Sequence, residues 1–258
     1  METTNPLFRN VELRERSSGT VRVASVERIT LNGTLYKAGI LLLCVAMSAL
    51  RGWRMFEVPQ DRRTTVAIVV VFSACLFGAM ALVWLTVRKK AWSPFTAPVY
   101  ALLEGWLMGD ISAGANRRYP GIAIQAVAVT IAMSFGLLVA YRSGLIRVTE
   151  GFNRKLTAAI GGVALFYLTT FVLALMGVRI FSVFAEGVPG ILISVIVIVI
   201  AGLSLVSAFD FVARCAQADL PKYMEWYAAF GLVMTLIWLY MEILNLLAKA
   251  RRGTQGSA

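Results

Sequence analysis

The chain has 258 residues, of which 59% are hydrophobic and only 15% charged, where an ordinary soluble domain carries roughly 25% charge. With a mean hydropathy of +0.74, it has too little polar surface to cover a water-facing fold, so the expected architecture is one helical membrane domain with no second soluble domain. The net charge of +11 would suggest nucleic acid as the partner of a soluble protein. Here, however, the basic residues sit between apolar runs, as at Arg62-Arg63, Arg88-Lys89-Lys90, Arg117-Arg118 and Arg251-Arg252. That placement marks membrane boundaries and anionic headgroups, so the partner is the lipid bilayer and not nucleic acid.

Residues 1–30 are polar, mixed in charge and without apolar periodicity, and read as a cytoplasmic tail. Its length and its four glutamates argue against a signal peptide. Seven apolar runs follow, at 31–50, 65–87, 95–114, 120–141, 156–178, 188–213 and 226–248. Each approaches the roughly 20 residues that a helix needs to cross a bilayer. Lys37 lies near one end of the first run, where it is expected to snorkel. The third run is the least apolar, because it holds Glu104 and Asp110. Runs such as Ile193-Ser194-Val195-Ile196-Val197-Ile198 do not alternate as barrel strands do. The fold class is therefore all-α, a polytopic membrane bundle of about seven helices over residues 31–250, followed by a short basic tail at 251–258.

The Lys/Arg bias places the N-terminus inside the cell and the C-terminus outside, by a small margin. Gly105 and Gly109 have small-xxx-small spacing, which lets helices approach closely. The chain has no histidine, which removes Ser-His-Asp and Cys-His catalysis and histidine-bound zinc. Cys44, Cys75 and Cys215 have neither metal nor redox spacing and read as small buried hydrophobes. No cofactor is expected.

The informative residues are the acids within or beside the spans, because each costs roughly 2.5–3.5 kcal/mol at a bilayer centre. Glu242 shares a helix face with Asn245, three residues on. Such a deep polar stripe must face protein or water, and its bland explanation is a protonated acid bonded to a neighbouring helix. Asp210 has Arg214 four residues on, so an intrahelical pair at a membrane edge is its bland explanation. Asp110 is near the end of its span, where solvation explains it. Glu104 is too deep for that explanation. Glu225, flanked by Tyr223, Trp226 and Tyr227, reads as interfacial.

The stretches NPLFR (5–9), LNGTLYKAGILLL (31–43), APVYALLEGWLMGDISA (97–113), YPGIAIQAV (119–127), FDF (209–211) and PKYMEWYAAFGLVMTLIWLYMEILNLL (221–247) resemble the Bax inhibitor-1 (YccA-like) family. This is also called the transmembrane Bax inhibitor motif family, and the closest likeness is to a bacterial subgroup with an extended N-terminal tail. The resemblance implies a seven-helix bundle with its last helix near the centre. It further implies a pH-sensitive Ca²⁺ leak in the cell membrane, in which two carboxylates on the sixth and seventh helices share protons. The matching positions are Asp210 and Glu242, the second a glutamate in place of the usual aspartate; Ca²⁺ would pass between them without a fixed metal site. Arg88 matches, in loose register, a basic residue that can latch the pair.

Helix geometry questions one part of this. If the last two helices turn at 217–221, Asp210 and Glu242 differ in depth by on the order of 15–20 Å. By depth, Glu225 is the expected neighbour of Asp210, and Glu104 that of Glu242. The acids would then form a ladder, with Asp110 outermost, Glu104 and Glu242 midway, and Asp210 and Glu225 innermost. The alternative to an ion path is a non-transporting interaction protein that binds a membrane protease or another stress-response partner. An enzyme is not expected, because GxSxG and HExxH are absent and a di-carboxylate site lacks its usual flanking motifs. No inverted repeat supports a coupled transporter.

Overall fold

The computed structural model describes residues 28–57, 62–176, 188–218 and 220–255; residues 1–27 of the tail, with the NPLFR stretch, lie outside them. Seven helices form among the described residues: α1 (Leu31–Glu57), α2 (Arg62–Arg88), α3 (Ser93–Arg118), α4 (Ile122–Arg142), α5 (Glu150–Leu175), α6 (Val188–Gln217) and α7 (Met224–Gln255). A 3₁₀ turn, Lys90–Trp92, joins α2 to α3.

The expected runs all appear as helices, and most extend past their apolar cores. The reason is backbone hydrogen bonding, which continues into the polar interface as long as each N–H finds its carbonyl. Arg251 and Arg252 accordingly belong to the last turns of α7 rather than to a separate tail. Six helices are long and apolar enough to cross a membrane. The seventh, α3, carries Glu104 and Asp110 and packs against α1, α2, α4 and α7. Its buried face includes Ala97, Tyr100, Ala101, Gly105, Met108, Gly109 and Ser112. A helix walled in by others does not need an apolar surface all round.

α7 is the central helix and packs against α1, α3, α4 and α6. Ala229, Val233 and Leu239 of α7 are buried in one continuous core with Leu41 of α1, Ala101 of α3, Ile122 of α4 and Leu205 of α6. α2 lies on α3 and α5 on α6, both at the periphery. Exposed Phe77, Trp84, Leu165 and Phe171 on these two helices form an apolar belt suited to acyl chains.

α1 and α3 make the closest approach. A Cβ on Gly105 would fall on the Val45 backbone, and one on Gly109 on the Ala49 backbone. The four-residue spacing of these glycines thus sets the distance between the helices, as their sequence pattern leads one to expect.

At the end of the bundle where α1 begins, here called the near end, residues 28–30 are not a free tail. Ile29 N–H donates to the Leu220 carbonyl at 3.0 Å. The Ile29 side chain packs with Cys215 and Met224 in a small apolar cluster. The segment entering α1 is therefore clasped to the α6–α7 connection. Its apolar Ile29 explains why this part of the predicted tail is ordered against the bundle.

Candidate functional site

Glu242 lies in the far half of α7 and is 6% exposed. Its Oε1 accepts hydrogen bonds from Tyr167 Oη of α5 at 2.8 Å and from Trp238 Nε1, one turn earlier on α7, at 3.1 Å. Its Oε2 is buried without a partner. A buried carboxyl with only half its acceptor capacity used is an expensive arrangement. Asn245, on the same face, is half-buried.

Seven residues after Glu242, and so on the same side of α7, Lys249 is also 6% exposed. Its ammonium donates to Ser194 Oγ at 2.8 Å and to the Gly190 carbonyl at 3.3 Å, both on α6. Lys249 directly follows the last apolar run, 226–248, a position that marks a boundary charge. The structure instead encloses it between α6 and α7, because α7 continues past it to Gln255. The available signal was its spacing of two helical turns from Glu242.

The acids of α3 are placed by two contacts with α7. The Tyr100 and Phe230 rings meet edge-on at 4.9 Å, and Ser112 Oγ lies 2.7 Å from Tyr240 Oη. α3 and α7 therefore run parallel, and Glu104 lies on the order of 12–15 Å short of Glu242 along the axis. The expected Glu104–Glu242 proximity does not occur; the α3 register brings Asp110, not Glu104, nearer to the level of Glu242. Asp110 is not solvated at a span edge either. α3 continues two further turns to Arg118, so Asp110 is buried, and its Oδ1 has no partner. Glu104 is half-buried.

Asp210 accepts a hydrogen bond from Tyr141 Oη of α4 at 3.2 Å and forms an ion pair with Arg214 one turn on. It lines a pocket of about 340 Å³ with Asn153, Ser207 and Phe211, where Ser207 Oγ and Asn153 Oδ1 are 2.9 Å apart. Glu225 is fully buried. Its Oε1 accepts from Thr30 N–H and Thr30 Oγ1, each at 2.9 Å, and its Oε2 is paired with the Lys37 ammonium. Glu225 is thus a buried anchor, and Lys37 turns inward to it instead of snorkelling. An ion partner inside the bundle outweighs an interfacial position for both groups.

Phe211 and Tyr227 touch at 6.1 Å, so Asp210 and Glu225 lie at similar depth, as expected. They do not meet, however. Asp210 faces α4 and the α5–α6 pocket, whereas Glu225 faces α1. Among the described residues, no three Asp, Glu, Cys or His side chains are grouped as metal ligands.

A family model described as Bax inhibitor 1 like matches residues 5–252. The chain belongs to this family. No curated protein and no solved structure matches it.

As a Bax inhibitor 1 like protein with strongly apolar helices, it is a multi-pass integral membrane protein. The pair of acids that the family resemblance implies is not assembled. α6 and α7 are antiparallel, with Phe211 beside Tyr227 near one end and Ser194 beside Lys249 near the other. Asp210 and Glu242 therefore lie on the order of 20 Å apart along the bundle. Arg88, the matched latch position, stacks on Trp84 with its guanidinium 4.8 Å from the ring centroid. It is exposed, on a helix that packs chiefly on α3. Lys90, two residues on, does reach α7, with its ammonium 5.4 Å from the Tyr227 ring centroid.

Proposed function

We propose that this protein is a pH-sensitive cation leak pathway of the cell membrane, with Glu242 as the carboxylate on the path and Ca²⁺ as its cargo. One observation carries this reading: the enclosed Glu242 carboxyl, deep in the central helix, with a free Oε2. Oxygen donors suit hard divalent cations, and a carboxyl within a span is by default a functional residue. With no histidine in the chain, proton sensing falls to carboxyl groups. The groups facing Glu242 are Tyr167, Trp238 and, farther along α7, Lys249. Glu242 acts here without a second carboxylate, while Asp210, held by Arg214, has a secondary role at the near end. The near end is assigned to the cytoplasm on the Lys/Arg bias, and no catalysis is assigned.

Ca²⁺ uptake into sealed liposomes containing the purified protein, across mildly acidic to mildly alkaline pH, tests the reading. The expected result is a pH-dependent flux that Glu242→Gln changes. An unaltered flux and pH profile in Glu242→Gln would sink it.

A second reading, a non-transporting partner of a membrane protease or another stress-response protein, is favoured by a different observation. A groove of about 770 Å³ runs between α1 and α4, floored by α3 and α7 and lined by Leu42, Ala49, Met108, Val127 and Ile237 among others. Its apolar walls suit a partner helix. Capture of such a partner, undiminished by neutralising Glu104, Asp210 and Glu242 together, favours this reading over the first.

A further inference from the structure

We propose that Lys249 is a tethered counter-cation for Glu242, which keeps external cations off that carboxylate. The inference rests on the reading of Glu242 as the path residue and concerns how that site is regulated.

Lys249 and Glu242 are equally enclosed, each 6% exposed, on one face of α7 and about 10 Å apart along its axis. Each has one unused polar capacity. Glu242 Oε2 has no hydrogen-bond partner. The Lys249 ammonium has three donors, and its partners are the two neutral oxygens of Ser194 and Gly190. A buried ammonium held only by neutral oxygens has given up water without gaining an anion in contact. On α7 its nearest source of compensation is Glu242, two turns back on the same face.

Two features direct Lys249 toward Glu242. Side chains on a helix lean toward its N-terminus, which from Lys249 is the direction of Glu242. Arg252 is three residues on in the same helix, and its like charge repels the ammonium from the C-terminal side. The lysine stem is long and flexible, so its head can swing from Ser194 toward Glu242 and narrow the axial gap of about 10 Å without any backbone movement. A cation entering from the C-terminal end of α7 meets this fixed positive charge before it meets Glu242. Occupancy of Glu242 by Ca²⁺ then requires the ammonium to be held away on Ser194 and Gly190, its position in the structure. Ser194 and Gly190 thus hold the ammonium in its withdrawn position.

The test uses full-length protein in liposomes, with Ca²⁺ as the probe and modification of Glu242 by dicyclohexylcarbodiimide, followed by mass spectrometry, as the readout. In the unaltered protein, added Ca²⁺ should leave the modification rate of Glu242 nearly unchanged. In Lys249→Met, Ca²⁺ should slow it several-fold, and Lys249→Arg should behave like the parent. Lys249→Gln, which keeps a donor for Ser194, serves as the second variant if Lys249→Met does not fold. Equal protection by Ca²⁺ in parent and variant, or protection in neither, overturns the inference. The leak reading fails separately: absence of Ca²⁺ flux from parent and variants alike removes it, while the labelling result still decides whether Lys249 guards Glu242.

Discussion

Tyr167 Oη donates to Glu242 Oε1 across 2.8 Å, and that bond ties the peripheral helix α5 to the central helix α7. α5 otherwise packs on α6. Tyr167→Phe removes the donor and keeps the ring, leaving Oε1 with Trp238 alone. The expected cost is about 1–3 kcal/mol, as for a buried acceptor that loses a partner. Chemical unfolding in detergent, compared between parent and variant, measures it. Because α5 loses its one described side-chain hydrogen bond to the centre, faster protease cleavage of the α4–α5 connection should accompany the loss.

The Glu225–Lys37 pair gives a larger effect. Lys37→Met leaves a fully buried carboxylate without its ion partner, a change that costs about 3–5 kcal/mol in buried pairs. Lys222, 3.7 Å from Glu225 and 42% exposed, offsets part of this from the surface. Replacing both members, Lys37→Met with Glu225→Gln, should cost less than Lys37→Met alone. If the double variant is instead less stable by the sum of the single losses, the pair is not the coupled anchor described here.

Gly109→Val places a side chain where the Ala49 backbone runs. α1 and α3 must separate, and rigid backbone on both sides cannot yield as a flexible side chain would. A loss of at least about 1–3 kcal/mol is expected, the usual range for overpacking. Gly136→Ala on α4, where a Cβ meets open space, is the matched control and should change the melting temperature little.

Neutralising acids should rank them by their partners. Asp210 already faces the guanidinium of Arg214, a pair that is 53% exposed on the arginine side. Exposed pairs at this spacing are worth only about 0.3–0.5 kcal/mol. Asp210→Asn should therefore alter stability slightly and Ca²⁺ flux less than Glu242→Gln does. A larger flux change in Asp210→Asn than in Glu242→Gln would move the path to the near-end pocket.

The helices were legible because apolar runs of span length have few other folds open to them. The Gly105–Gly109 approach was legible from spacing alone. The partners of the acids were not. Glu225 and Lys37 are brought together only by the way α1 lies against α7, and no local pattern in either segment signals the other. Asp110 looked like an edge residue because apolar content falls off after it, although the helix does not end there. Lys249 was hidden for the same reason, since a charge after the last apolar run reads as a boundary while the α6 wall that encloses it is invisible in sequence. Intrahelical relations such as Asp210–Arg214 were readable, because four residues always make one turn.

Thr30 caps the first helix, receiving Gly33 N–H on its Oγ1 at 3.0 Å, and the carboxylate that secures Thr30 comes from Glu225 on the last helix. α1 therefore completes its entrance only when α7 arrives. Until then Lys37 sits in a helix bound for the membrane with its counter-charge still unsynthesised. A chain stopped before Glu225 carries that uncompensated charge permanently. The same contact thus separates finished from unfinished molecules.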